Sequence, residues 1–490
     1  MFMRNTFLLL SAAATAMAPG MAAAQSAYRN LSPRYVQEAQ QQHTELVAEF
    51  GGAETGSRAA YVDQIGRRMA AQSGVNPGAF RFTTLNSAVE NAFAVPGGYI
   101  YITRQLMSIM NDEAELAFVT GHEVGHVAAN HAQARQSASR TNAIGGILGA
   151  ILGSVIGGGI GSALGNMLQT SSQLRTLSFS RNQEYDADRL GIGYLTRAGY
   201  DPAASATMLA ALARSSALES RVQGQDNRST PEWAQTHPNS ENRVRQAAGM
   251  SQQTGRAGQG VRNREAFLNQ LDGVVVDDDP AQGIIDGRTF THPDLRLQFT
   301  VPVGYLMQNG TDAVTISGSA GKAQFSTARF NGNLDSYIAG VLQSLTGGRV
   351  PIQVLDRNRT TINGIPASYV VARANTSSGA VDVSVFAYAF GRSQAYHFVA
   401  LTQGGRGVGQ FAPMVNSLRR ISPAEAANIR PRVINVVTVR PGETVQSLAS
   451  RMAYRDFRVE RFLSLNGLSG NARLVPGQRL KLVVHGSRAR

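Results

Sequence analysis

The stretch Gly121-His122-Glu123-Val124-Gly125-His126 sets two imidazoles four residues apart, with a carboxylate beside the first. Residues 112–134 contain no proline, and Asp112 can cap a helix start with Glu113 and Glu115 in the first turn. The spacing therefore predicts a helix through 134. Positions four apart share one face, so His122 and His126 can offer ring nitrogens to a single ion. Glu123 then stands beside the ion without binding it, placed to take a proton from water at the metal. Zinc suits two imidazoles and one later carboxylate, with the fourth position left open. It lowers the pKa of water toward about 7.

The later carboxylate is expected from Arg181-Asn-Gln-Glu184-Tyr-Asp-Ala-Asp188, where Glu184 and Asp188 share a helix face. Glu184 can bind the ion while Asp188 accepts a hydrogen bond from a ligand imidazole and fixes its tautomer. Leu177, Phe179, Leu190 and Ile192 flank the pair, which argues against an ordinary solvated acidic face. Thr236-His237-Pro238 follows, with Arg243 beyond it. A lone His-Pro after a polar loop is commonly structural or solvated; beside a zinc site His237 can instead be a fourth ligand or a donor to the oxyanion. His131 is the weaker candidate: five residues past His126 it leaves the ligand face of a continuous helix. The longer pattern HExxHxxGxxH fails too, because Ala132 stands at its third ligand position.

Other elements must hold this constellation. Periodic apolar residues predict helices within 31–72. Alternation predicts a strand at 80–85, then strand, turn and strand over 91–102, turning at Pro96-Gly97-Gly98. The strand at Asn91, Ala92, Phe93 and Ala94 either pairs with an extended peptide through an open edge beside the metal or is an ordinary hairpin, and spacing alone leaves both open. Between the two halves of the site runs an apolar, glycine-rich insert, 144–168. Its glycines at 149, 153, 157, 161 and 165 form a small-residue stripe. It fits a hairpin covering the active site, an element making membrane contact through 145–165, or a self-association face.

The chain has 490 residues, enough for two to four domains at about 100–200 residues each. Its net charge of +13 is almost wholly arginine, lysine occurring only at Lys322 and Lys481. No dense basic run or nucleic-acid motif accompanies that charge, so no nucleic-acid partner is expected. Arg4, the apolar run Phe7–Met17 and Ala22-Ala23-Ala24 before Gln25 read as a secretory signal peptide over 1–24. With no cysteine anywhere, an exported, periplasmic location is expected.

Residues 30–250 resemble the HtpX-like and BepA-like zinc metallopeptidases, the gluzincin family that also holds the CAAX prenyl protease. The motifs are NAFAVPGG at 91–98, HEVGH at 122–126, NQEYDADRLG at 182–191 and THPNSENR at 236–243. The resemblance implies one zinc ion held by His122, His126 and Glu184, Glu123 as catalytic base, 91–94 along the substrate cleft, and a regulatory approach of His237 to the metal. Near the C-terminus, VRPGETVQSLA, LNGL and LVPGQRLKL in a βααβ order resemble a LysM module, which implies peptidoglycan as a partner.

The expected architecture is multidomain. A mainly α-helical gluzincin domain with a small sheet spans 25–250, and a linker 251–285. An antiparallel α+β domain of unknown role, vaguely PsbP-like, covers 286–425, and a βααβ LysM-like module 434–485. The expected function is an exported zinc endopeptidase cleaving misfolded or misassembled envelope polypeptides. The alternatives are a wall-anchored chaperone with a closed zinc site and, less favoured, a peptidoglycan hydrolase.

Overall fold

The computed structural model describes residues 28–132, 179–222, 240–346, 351–376 and 379–487. The expected signal peptide, the insert 144–168 and His237 lie outside them.

Two helices, α1 (Pro33–Glu49) and α2 (Ser57–Ala70), precede strand β1 (Arg81–Leu85). Strands β2 (Ala92–Val95) and β3 (Tyr99–Thr103) follow, joined by a tight turn. Gly97 and Gly98 both take positive φ there, and a Cβ at Gly97 would sit 2.4 Å from the Tyr35 carbonyl oxygen of α1. Only glycine allows both the turn and that approach. The sheet order is β1-β3-β2, β1 parallel and β2 antiparallel to β3.

A short helix α3 (Arg104–Ile109) leads into α4 (Glu113–Ala128), which carries the HEVGH motif through the centre of the domain. Its start is fixed locally: Asp112 accepts from the Glu115 amide at 3.0 Å, and the Glu115 carboxylate accepts from the Asn111 amide at 2.7 Å. Helix α5 (Arg181–Arg197) crosses it, opening on a capping box between Ser180 and Gln183. Glycines permit the crossing. A Cβ at Gly125 would meet Leu190 at 3.3 Å, and one at Gly191 would meet the His122 amide nitrogen at 3.1 Å. Helices α6 (Ala204–Val222) and α7 (Ser240–Gln253) complete this half.

The stretch expected as a linker holds helix α8 (Arg264–Leu271) and strand β4 (Val275–Val276). Phe267, Leu268 and Leu271 are fully buried. Arg104, also buried, donates to the Val275 and Asp277 carbonyls at 2.9 and 2.8 Å and so clamps this stretch to α3.

A four-stranded sheet uses β5 (Ile284–Asp286), β6 (Thr289–His292) and β7 (Leu297–Thr300). A seven-stranded antiparallel sheet then has the order β11-β12-β13-β14-β10-β9-β8. Its strands are β8 (Leu306–Asn309), β9 (Ala313–Gly318), β10 (Gly321–Thr327), β11 (Ile352–Ile362), β12 (Ile365–Thr376), β13 (Gly379–Ala389) and β14 (Ala395–Gln403). Helix α9 (Leu334–Thr346) packs on one face, contributing Tyr337, Ile338, Val341 and Leu345 to a core with Val383, Val385 and Val399. Helix α10 (Ala412–Ser417), strand β15 (Arg419–Arg420) at the edge of the four-stranded sheet and helix α11 (Pro423–Ala427) close the unit.

The last unit is β16 (Arg432–Thr438), α12 (Val445–Ala449), α13 (Arg458–Asn466) and β17 (Arg479–His485), in the expected βααβ order. Strand β16 pairs with β17 on one side and with β4 on the other, Arg432 facing Val276. Val439, Leu448, Phe462, Leu480 and Leu482 lie in one hydrophobic cluster with Leu106, Met110, Leu116 and Leu212 of the first unit. Lys481 is fully buried at this junction and donates to the carbonyls of Ser108, at 2.7 Å, and Met110. Burial depresses its pKa to about 7. Among the described residues no helix is long and apolar enough to cross a membrane.

Candidate metal centre

Helices α4 and α5 bring His122, His126 and Glu184 together, each 2% exposed or less. The two His Nε2 atoms are 3.0 Å apart. Glu184 Oε1 lies 3.5 Å from His126 Nε2, and Oε2 3.6 Å from His122 Nε2. A tetrahedral zinc with bonds of about 2.0–2.2 Å sets its ligand atoms roughly 3.3–3.6 Å apart. The donor set and the two Glu184 separations fit such an ion, and the two imidazole nitrogens, at 3.0 Å, stand a few tenths of an ångström closer than a bound zinc would hold them. Glu123, one residue along α4, is fully buried.

The far side of each imidazole is also held. His122 Nδ1 lies 2.9 Å from Asp188 Oδ1. Arg243, reaching in from α7, donates to both Asp188 oxygens at 2.7 and 2.6 Å. Its Nη1 lies 2.7 Å from Glu184 Oε2. Burial alone would raise the Asp188 carboxyl, but the Arg243 guanidinium outweighs it and holds the pKa at about 2. Asp188 thus stays an acceptor for an Nδ1–H of His122, the arrangement that would leave Nε2 free to bind an ion.

The helix around His131 departs from the sequence expectation. Helix α4 ends at Ala128 rather than near 134, and Asn130 takes a left-handed φ of 56°. His131 Nδ1 comes within 3.0 Å of His126 Nδ1, behind the metal-facing nitrogen. Its Nε2 faces Asp186 Oδ2 at 3.4 Å. Phe179 stacks on His126 with ring centroids 3.9 Å apart. Sequence reasoning placed His131 off the ligand face, as it is here, but by carrying the helical angle past the cap it missed the contact of His131 with His126 and the part of Asp186. Asn130, a residue suited to left-handed turns, was the available signal.

Strand β2 lies at a sheet edge, but Ala92, Phe93, Ala94 and Val95 are all buried, so its side chains are less open than expected. Asn91, just before it, has a buried side-chain amide with no partner among the described residues. A pocket lined by Tyr35, Ala94, Val95, Gly97, His126 and Phe179 opens beside the centre.

This helix pair holds two imidazoles and a carboxylate placed to bind one ion, and the stretch that carries it matches a peptidase family. Residues 56–251 match Peptidase family M48 and residues 437–483 match the LysM domain, and the chain carries both. The beta-barrel assembly-enhancing protease of Escherichia coli (strain K12) is 31% identical over 196 residues, 39% of this chain and 39% of that protein. The mitochondrial metalloendopeptidase OMA1 of Schizosaccharomyces pombe is 26% identical over 218 residues, 42% of this chain and 58% of that one. The chain thus spans well under two thirds of either relative. The solution structure of cyanobacterial PsbP from Synechocystis sp. PCC 6803 matches 28% of this chain and 98% of that one. Its 9% identity and TM-score of 0.23 are too low to assign a fold.

Proposed function

We propose that the chain is an exported zinc endopeptidase of the cell envelope. The observation that carries this reading is the triangle of His122, His126 and Glu184 donor atoms with Glu123 beside it on α4. Zinc, when held there, supplies Lewis-acid polarisation of the scissile carbonyl and a water acidic enough to attack near neutral pH. Glu123 takes a proton from the attacking water and returns it to the leaving amine. Asp188 and Arg243 keep His122 in the required tautomer. Asn91 and the edge of β2 bind the main chain of an extended substrate once the cleft opens. His237 serves as oxyanion donor or as a fourth ligand that holds the site closed. The name of the Escherichia coli relative, a beta-barrel assembly-enhancing protease, supports misassembled envelope proteins as substrates. The LysM domain supports anchoring to peptidoglycan.

The test is cleavage of casein by the mature chain, with bound zinc measured in parallel. Glu123→Gln is expected to keep the metal and to lose activity by roughly 10²–10⁴-fold. Chelation should abolish activity, and cleavage that survives Glu123→Gln would sink the proposal. A second reading, a wall-bound chaperone with a latent site, draws on the near-complete burial of all three ligands. It expects retained zinc without cleavage.

A further inference from the structure

His126 has two ring nitrogens and both are engaged. Nε2 points at His122 and Glu184, as metal binding requires. A lone pair directed at a metal from Nε2 puts the ring proton on Nδ1. That proton faces His131 Nδ1 at 3.0 Å. Two N–H groups cannot point at each other at this distance, so His131 accepts there and carries its own proton on Nε2. Nε2 in turn faces Asp186, which Arg189 holds at 2.6 Å. The backbone supports the arrangement: the His131 carbonyl accepts from Gln183 Nε2 at 3.0 Å. Gln183 belongs to the capping box of α5, the helix that delivers Glu184. His131 is 7% exposed, so water is a poor substitute for it.

We propose that His131, backed by Asp186, is a positioning residue that fixes the tautomer and ring orientation of His126 and thereby sets the affinity of the centre for zinc. It acts for His126 as Asp188 acts for His122. The two relays differ in kind. The Asp188 relay ends on a buried arginine, whereas the His131 relay runs outward to Asp186, whose side chain is 37% exposed. This inference rests on the reading that His126 binds the metal.

The experiment is zinc affinity of the full chain, measured by competition with a chromophoric chelator, with thermal melting of the metal-free variants alongside. His131→Ala is expected to weaken zinc binding about 10–100-fold, the usual cost of losing such an outer partner. His131→Asn, whose side-chain oxygen can take the place of the accepting nitrogen, should recover most of that loss. A residue needed only for packing would not show this rescue. Asp186→Ala, at a half-exposed position that leaves folding intact, should weaken binding by about two- to fivefold. Wild-type affinity in His131→Ala overturns the proposal, as does an equal loss in His131→Ala and His131→Asn with unchanged metal-free melting. A wild-type chain that binds no zinc overturns the metal-site reading itself. Zinc binding that vanishes in His126→Ala but is unchanged in His131→Ala leaves that reading standing and removes only this one.

Discussion

Arg243 stands at the back of the candidate centre, almost wholly buried, between the Asp188 and Glu184 carboxylates. Taking three charges out of water is costly, and bidentate geometry is what offsets the cost. Removing the cation would leave Asp188 and Glu184 as buried anions without their counterion. Arg243→Ala is therefore expected to destabilise the domain by about 3–5 kcal/mol, read as a fall in the thermal midpoint. Arg243→Lys should recover only part, since an ammonium cannot form the planar fork. An Arg243→Ala chain as stable as wild type would refute that account. The shared faces of His122 and His126 and of Glu184 and Asp188 were legible in the sequence because helical spacing is local arithmetic, and the structure brings His122, His126 and Glu184 together. Arg243 was named as a site residue, but its double contact was not visible. It lies 55 residues from Asp188, and only the packing of α7 against α5 closes that distance.

At the level of elements, the candidate metal centre is a crossing of α4 and α5, and Gly121, Gly125 and Gly191 are what let the two backbones approach. The sequence showed those glycines without showing which neighbours needed them. The long strands from Ala313 to Gln403 carry the alternation that made an antiparallel α+β unit readable over 286–425, because alternation is a period-two signal. Strands β5, β6 and β8 were not legible, being three or four residues each and too short for a pattern to register. The large sheet hides a titrating group that sequence reading also passed over. His397 on β14 lies under α9, with Tyr337 Oη 2.8 Å from its Nδ1. Burial lowers its pKa to about 4, against about 6.5 when unfolded. Between these values the unfolded chain binds a proton that the folded chain refuses. This contribution to stability is full above pH 6.5 and is lost as pH falls toward 4. The loss amounts to about 3 kcal/mol at most. Urea unfolding at pH 7 and pH 4.5 should show a smaller acid loss in His397→Gln than in wild type. Equal losses would assign the effect to other groups.

Across the whole molecule, the LysM domain is built into the peptidase core instead of hanging from it. Its strand β16 extends through β4, and its apolar residues enter the cluster beneath α4. The βααβ order was legible in the sequence, but the docking was not. The stretch 251–285 looked polar enough to be a tether, and its buried face shows only once α8 and β4 are folded. Truncation after Ile429 should expose that face and lower the melting temperature of the peptidase domain by several degrees. In the full chain the two units should melt as one calorimetric transition. Two separate transitions, with the peptidase midpoint unmoved by truncation, would contradict the shared core. The junction also has a chemical consequence. Only Lys322 and Lys481 carry side-chain amines, and Lys481 is sealed in the junction while Lys322 is partly open to solvent. An amine-selective acylating reagent will mark Lys322 and the amino terminus of the folded chain. It will reach Lys481 only in molecules whose C-terminal unit has let go, so the chain carries its own built-in probe of that detachment.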